Sequence, residues 1–185
     1  IYVPPGNGGI GREAQCVPIR ATDIPAMVEF AKEHAIGFAV VAPDDPLVLG
    51  AADALREAGI PTFGPSRAAA AIEGSKVFAK DLMRKYGIPT AAYRVFTDLG
   101  SALTYLDTAP LPAVIKADGL ALGKGVVIAQ TREEGRDALR RMMSERVFGD
   151  SGSRVVIEEY LTGPEVSVLS FTDGETLVPM VSSMD

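Results

Sequence analysis

Few residues in this chain are able to do chemistry, and their types narrow the field at once. Cys16 is the only cysteine and His34 the only histidine in 185 residues. One cysteine excludes an internal disulfide framework and any Cys-rich zinc or iron–sulfur site. One histidine leaves no His-based metal cluster, and no nucleophile motif stands beside it to make a Ser–His–Asp hydrolase. The chemistry must therefore come from Lys, Arg, carboxylates, backbone amides and, where one binds, a hard cation.

Three constellations offer such groups. The first, Gly6-Asn7-Gly8-Gly9-Ile10-Gly11, follows a strand-like start and fits G-x-G-x-x-G. A dinucleotide fold would open a helix there, with its N-terminus on the pyrophosphate. Arg12 to Pro18 carry no apolar helical stripe and Pro4-Pro5 break the approach, so a dinucleotide oxidoreductase fails on context. The preferred reading is a loop whose amides, with Arg12, hold one phosphate; the alternative is a plain surface loop.

The second is Asp118-Gly119-Leu120-Ala121-Leu122-Gly123-Lys124-Gly125. It differs from a P-loop in spacing, in Gly125 where a Ser or Thr would touch Mg²⁺, and in joining two strands. A glycine-rich strand–loop–strand with Lys116 and Lys124 at its flanks is a lid that lays amides over a polyphosphate. One ion pair at about 4 Å is worth roughly 4 kcal/mol at an effective dielectric of 20, so the lysines matter. An ordinary glycine hairpin rarely needs three glycines and two lysines.

The third is Val155-Val156-Ile157-Glu158-Glu159-Tyr160-Leu161 with Glu165 beyond it. On a strand Glu158 and Glu159 face opposite sides, so one enters a site while the other meets solvent or a lysine. Such a stretch suits an adenine read by backbone and a ribose read by a carboxylate. Solvated edge carboxylates are the alternative, and the position after the lid favours the site.

These groups need elements to hold them, and strand and helix signals alternate along the chain. Asp23 with Pro25 opens a helix closed near Gly37, Phe38 to Val41 reads as a buried strand, and a second helix runs to about Ala58 before Pro61-Thr62-Phe63. That β-α-β-α-β order predicts an open parallel sheet with ligands beyond its carboxyl strand ends. Ser66 and Ser75 cap two consecutive helices, and Thr131 with Glu134 forms a capping box opening a helix to about Ser144. Strands are expected at Tyr93–Phe96, Ala113–Ala117, Gly125–Ala129, Val155–Tyr160, Glu165–Phe171 and Leu177–Val181, with a turn at Asp173-Gly174.

Composition agrees with a globular protein: 47% hydrophobic and 23% charged residues, with 19 Gly and 13 Pro supplying many turns. A formal charge of −6 disfavours a general nucleic-acid binder, and no 18-residue apolar run suggests a membrane span. A free cysteine without a signal peptide gives a cytoplasmic expectation.

Taken together the motifs resemble the ATP-grasp ligases, and among them the phosphoribosylamine–glycine ligase family. The resemblance is carried by Phe63-Gly64-Pro65-Ser66, Glu73-Gly74-Ser75-Lys76 with Phe78-Ala79-Lys80, Tyr86-Gly87-Ile88-Pro89-Thr90-Ala91, and Lys116 through Val126. Val156-Ile157-Glu158-Glu159, Glu165-Val166-Ser167 and Ser182-Ser183-Met184-Asp185 complete it, in consistent order over essentially the whole chain. It implies a Rossmann-like α/β domain over 1–64 and an ATP-grasp domain over 65–185, with a small lid subdomain near 91–159.

It also implies an activity: glycine and 5-phosphoribosylamine joined at the expense of ATP, with Mg²⁺ or Mn²⁺. On this resemblance Lys76, Lys116, Gly119, Gly123, Lys124 and Gly125 meet the ATP phosphates. Glu158, Glu159, Tyr160 and Leu161 hold the adenine and Glu165 the ribose. Gly6, Asn7, Gly8, Gly9, Asp44 and Pro46 lie near the phosphoribosylamine, and Asp185 reaches the acceptor pocket. No side-chain nucleophile is required. Ile10 stands where the family usually has a small hydroxyl residue, Ala42 and Asp44 replace the commoner Gly and Glu, and Pro164 replaces an acidic residue. The family's first strand would precede Ile1 and its metal ligands would follow Asp185. The expectation is thus a segment without metal ligands, dependent on the remainder of the same polypeptide for turnover. Another ATP-grasp ligase and a non-catalytic nucleotide-binding module are the competing readings.

Overall fold

The computed structural model describes residues 1–120 and 125–184. Its first third is built from short parallel strands and helices. β1 (Tyr2–Val3) pairs in parallel with β2 (Gln15–Cys16), a 3₁₀ turn over Ile10–Arg12 lying between them. α1 (Ile24–Glu33) starts at Asp23, whose carboxylate accepts the Ala26 amide at 3.2 Å. β3 (Ala39–Val40) leads to α2 (Asp44–Leu49) and α3 (Ala51–Glu57), and β4 (Thr62–Phe63) returns parallel to β3. The single helix expected up to Ala58 divides at Gly50, where φ of +94° turns the chain left-handed at little cost because no Cβ is present. The expected parallel sheet takes the form of two separate ladders, since strands of two residues have few ladder bonds to share. Leu47, Ala52, Leu55 and Ile60 form the local core, and Ala70 of α4 (Arg67–Gly74) joins it.

Both serine caps are in place: Ser66 accepts the Ala69 amide at 3.2 Å, and Ser75 accepts that of Phe78 at 3.1 Å. Ser75 opens α5 (Lys76–Tyr86). β5 (Tyr93–Phe96), α6 (Leu99–Leu106), β6 (Ala113–Ala117) and β7 (Val126–Ala129) follow. The capping box forms at α7 (Arg132–Leu139): Thr131 accepts the Glu134 amide while the Glu134 carboxylate reaches back to the Gln130 amide. The helix expected to reach Ser144 changes to a π-helical turn over Arg140–Ser144. β8 (Val155–Glu159) completes a four-stranded antiparallel sheet in the order β5-β8-β6-β7.

One face of that sheet packs on α6, α7 and the π turn. Ala113, Ile115, Val155 and Ile157 meet Leu106, Leu139 and Met142 there, all nearly or fully excluded from solvent. Full burial of each large side chain is worth about 1.5–3 kcal/mol, making this the main stabilised layer. β9 (Ser170–Thr172) and β10 (Leu177–Pro179) form a hairpin whose turn is held by Asp173 accepting two amides, from Glu175 and Thr176. The strand expected from Glu165 is shorter than predicted: Ser167 bridges Ser183 and continuous pairing starts only at Ser170. Apolar alternation marks strand potential, but ladder length depends on the partner. Among the described residues no helix is long and apolar enough to cross a membrane.

Candidate functional site

The other face of the four-stranded sheet carries charge. Strand alternation puts Val114 and Lys116 of β6, Val156 and Glu158 of β8, and Tyr93 and Val95 of β5 on one side, with Lys116 opposite Val156 and Tyr93 opposite Glu158. Lys80 of α5 meets this face. The Glu158 side chain is 5% exposed and its carboxylate lies between two ammonium groups: Lys116 at Oε1 and Lys80 at Oε2, the latter at 2.5 Å. Of the two carboxylates that sequence alternation separated, Glu158 is the inward one. Glu159 is exposed at the strand end, its Oε2 accepting the Ala92 amide at 3.3 Å.

Lys80 is held as closely. Its Nζ donates to Thr90 Oγ1 at 2.8 Å and to the Ala91 carbonyl at 3.5 Å, and sits 5.5 Å from the Tyr93 ring centroid. The Tyr93 hydroxyl donates to Asp81 at 2.7 Å. Burial first, and then that hydrogen bond to a carboxylate, hold the Tyr93 phenol above its ordinary pKa. Two ammoniums against one carboxylate leave a net single positive charge at this point of the sheet.

The entry to the glycine-rich loop is fixed to the start of α5. Asp118, at the end of β6, accepts the Ser75 hydroxyl at 2.9 Å and the Val77 amide at 3.1 Å through Oδ1, and pairs with Arg154 at 2.5 Å through Oδ2. Lys76 donates to the Gly119 carbonyl at 2.8 Å. Gly119 has φ of +99°, and a Cβ there would stand 2.8 Å from Ser151 Oγ, so the turn that brings this carbonyl to Lys76 requires glycine. On the far side of the loop the Gly125 carbonyl accepts the Ala117 amide at 2.8 Å. Gly123, Lys124 and Asp185 lie outside the described residues.

Lys76, Lys116, Gly119 and Glu158 are therefore gathered around β6, β8 and the first turns of α5. Tyr160, Leu161 and Glu165 follow the carboxyl end of β8 and are exposed. The N-terminal candidates form a separate group. Gly6 to Gly9 leave the carboxyl end of β1, and Asp44 and Pro46 sit in the first turn of α2 beyond β3. The Asn7 side chain accepts the Gly9 and Ile10 amides at 2.9 and 3.0 Å, and the Gly11 and Arg12 amides bond to Asn7 and Gly9 carbonyls. A phosphate in this loop must use the amides before Gly9 or displace Asn7. Sequence reasoning assigns no role to Lys80, Thr90 or Arg154. Lys80 is within its reach, because Lys76 and Lys80 are four apart and share one helix face; the Thr90 contact crosses the loop after α5 and the Arg154 contact is long-range, and neither leaves a spacing signal. Among the described residues no three His, Cys, Asp or Glu side chains come together to ligate a metal.

Two family models divide the whole chain between them. Residues 1–73 match the phosphoribosylglycinamide synthetase N domain, and residues 74–185 match the ATP-grasp (A) domain of the same synthetase. A phosphoribosylamine–glycine ligase from Haemophilus influenzae is 52% identical over the full chain, and one from Halalkalibacterium halodurans is 50% identical. The chain spans only 44% and 43% of those relatives. The crystal structure of a phosphoribosylamine–glycine ligase from Thermotoga maritima superposes with a TM-score of 0.74 at 29% identity, covering 98% of this chain and 43% of that one. The biotin carboxylase domain of a Hydrogenobacter thermophilus 2-oxoglutarate carboxylase shares the fold, with a TM-score of 0.75 at 18% identity over 91% of this chain and 39% of that one.

Proposed function

Because this chain belongs to the phosphoribosylglycinamide synthetase family, we propose that it is the N-domain and nucleotide-binding portion of an ATP-dependent ligase that joins glycine to 5-phosphoribosylamine. The observation that carries the reading is the charged sheet face: Lys116 beside Glu158, with Lys76 tied to Gly119 where the glycine-rich loop begins.

In this reaction a glycine carboxylate oxygen attacks the γ-phosphorus of ATP, and the bond to ADP breaks to give glycyl phosphate. The phosphoribosylamine nitrogen then attacks the glycyl carbon, phosphate leaves, and the nitrogen loses a proton. Nothing in this sequence calls for a protein nucleophile. Positioning and charge neutralisation suffice. Lys116 and Lys76 would bind phosphate oxygens, Gly119 to Gly125 would cover them, and Glu158 to Leu161 with Glu165 would hold adenine and ribose. Gly6 to Gly9, Asp44 and Pro46 would face the phosphoribosylamine, and Asp185 the acceptor. Mg²⁺ or Mn²⁺ would neutralise phosphate charge. On the family resemblance its ligands would come from the rest of the polypeptide. A cytoplasmic setting fits the exposed, unbridged Cys16 and forms part of the same proposal.

ADP release by the full-length protein, with glycine and phosphoribosylamine added separately and together, tests this. Release should require both substrates. Release indifferent to either would remove the assignment.

A further inference from the structure

The proposed mechanism gives no role to the buried cation of Lys80. This residue is 8% exposed, and its ammonium is taken up by Thr90, the Ala91 carbonyl and Glu158. A group so enclosed does not reach a ligand. Its partner is unusual as well. Glu158 Oε2 is buried and accepts no hydrogen bond of good geometry among the described residues, so the Lys80 charge at 2.5 Å is what compensates it. Glu158 Oε1 meanwhile contacts Lys116, whose side chain is 28% exposed and is the one member of the trio open to the surface.

We infer that Lys80 is a positioning residue for the nucleotide site, acting through Glu158 to keep the Lys116 charge available to phosphate. The inference rests on the ATP-site reading of Lys116. With Lys80 present, two ammoniums share one carboxylate and a net positive charge faces the ligand. Without it, Glu158 has Lys116 as its only close cation among the described residues, and that pair is neutral. A phosphate approaching Lys116 then competes with a carboxylate that has no other partner. Thr90 and the Ala91 carbonyl hold the same ammonium, which limits where the carboxylate can sit.

The experiment is a double-mutant cycle in the full-length protein, read by steady-state KM for ATP and for glycine and by thermal melting. Lys80→Met is expected to raise the ATP KM about tenfold, the scale of one charge-assisted contact, with the glycine KM within about twofold. Lys80→Arg, which keeps the charge, should recover most of the loss. In a Glu158→Gln background the Lys80→Met effect should fall below about twofold, because no carboxylate remains to capture Lys116. Should Lys80→Met not fold, Lys80→Gln removes the charge while retaining a donor for Thr90 and takes its place. An unchanged ATP KM in Lys80→Met, or a loss equally large in the Glu158→Gln background, overturns the inference. Lys116→Met separates the two levels: if it leaves the ATP KM unchanged, the ATP-site reading itself fails, whereas a raised KM there with no effect at Lys80 removes only the role of Lys80.

Discussion

The two faces of the four-stranded sheet are made by alternate residues of the same strands and have opposite character. On β6, Ile115 is fully buried against α6 and α7 while its neighbour Lys116 faces the other way into an ion pair. On β8, Ile157 and Glu158 divide in the same manner. The apolar face excludes water through shape and needs no particular partner for any one side chain. The charged face depends on stoichiometry: three charged groups, of which one carboxylate must be compensated and one ammonium left over. Losses on the first face should appear as stability. Losses on the second should appear as ligand affinity.

The largest expected effect tests the apolar face. Ile115→Ala should lower unfolding stability by about 2–5 kcal/mol, since a fully buried side chain leaves a cavity in a layer with no solvent route. Urea unfolding checks this, and ATP affinity per folded molecule should stay near that of the parent. Lys116→Ala should do the reverse, raising the ATP dissociation constant at least tenfold, about 1.4 kcal/mol, with little change in melting because Glu158 keeps Lys80. If calorimetry finds both effects in either variant, the division between the faces is wrong. Gly119→Ala lies at the border of the two. Its positive φ and the Ser151 hydroxyl should cost about 1 kcal/mol of stability, together with a weaker grip on ATP as the carbonyl bonded to Lys76 moves.

The smallest effect concerns pH. Asp98 caps α6 on the apolar side, and the Ser101 amide hydrogen bond holds its carboxyl below the ordinary carboxylate range. A depressed folded-state pKa gives a contribution present above the unfolded value of about 4 and lost as pH falls through the folded one. Asp98→Asn, which caps without titrating, should flatten the loss of melting temperature on acidification below about pH 4. ATP affinity at neutral pH should not respond.

Local rules make much of the fold legible. The caps at Asp23, Ser66, Ser75 and Thr131 and the turn at Asp173-Gly174 each need only a side chain and an amide a few residues away, and all form. The division at Gly50 escapes them because an apolar stripe continues through it while the backbone does not. The shortened strand before Ser170 escapes them because ladder length is set by the partner strand. In the candidate site, strand period alone requires Glu158 and Glu159 to diverge, but not which of them turns inward, since burial depends on what packs over each face.

The sequence by itself determined the residue types available, the two glycine-rich loops, the lysines at 76 and 116, and the wording shared with the synthetase family. These are properties of composition and spacing, carried along the chain whatever it packs against. Only the tertiary structure decided that Glu158 rather than Glu159 turns inward, that Lys80 sits beside it, and that Asp118 joins the start of α5 to the glycine-rich loop. Those contacts join residues more than forty positions apart. Their pairing follows from packing α5 over one face of the sheet, because a buried charge selects its partner by proximity in a low-dielectric interior, which no local pattern encodes.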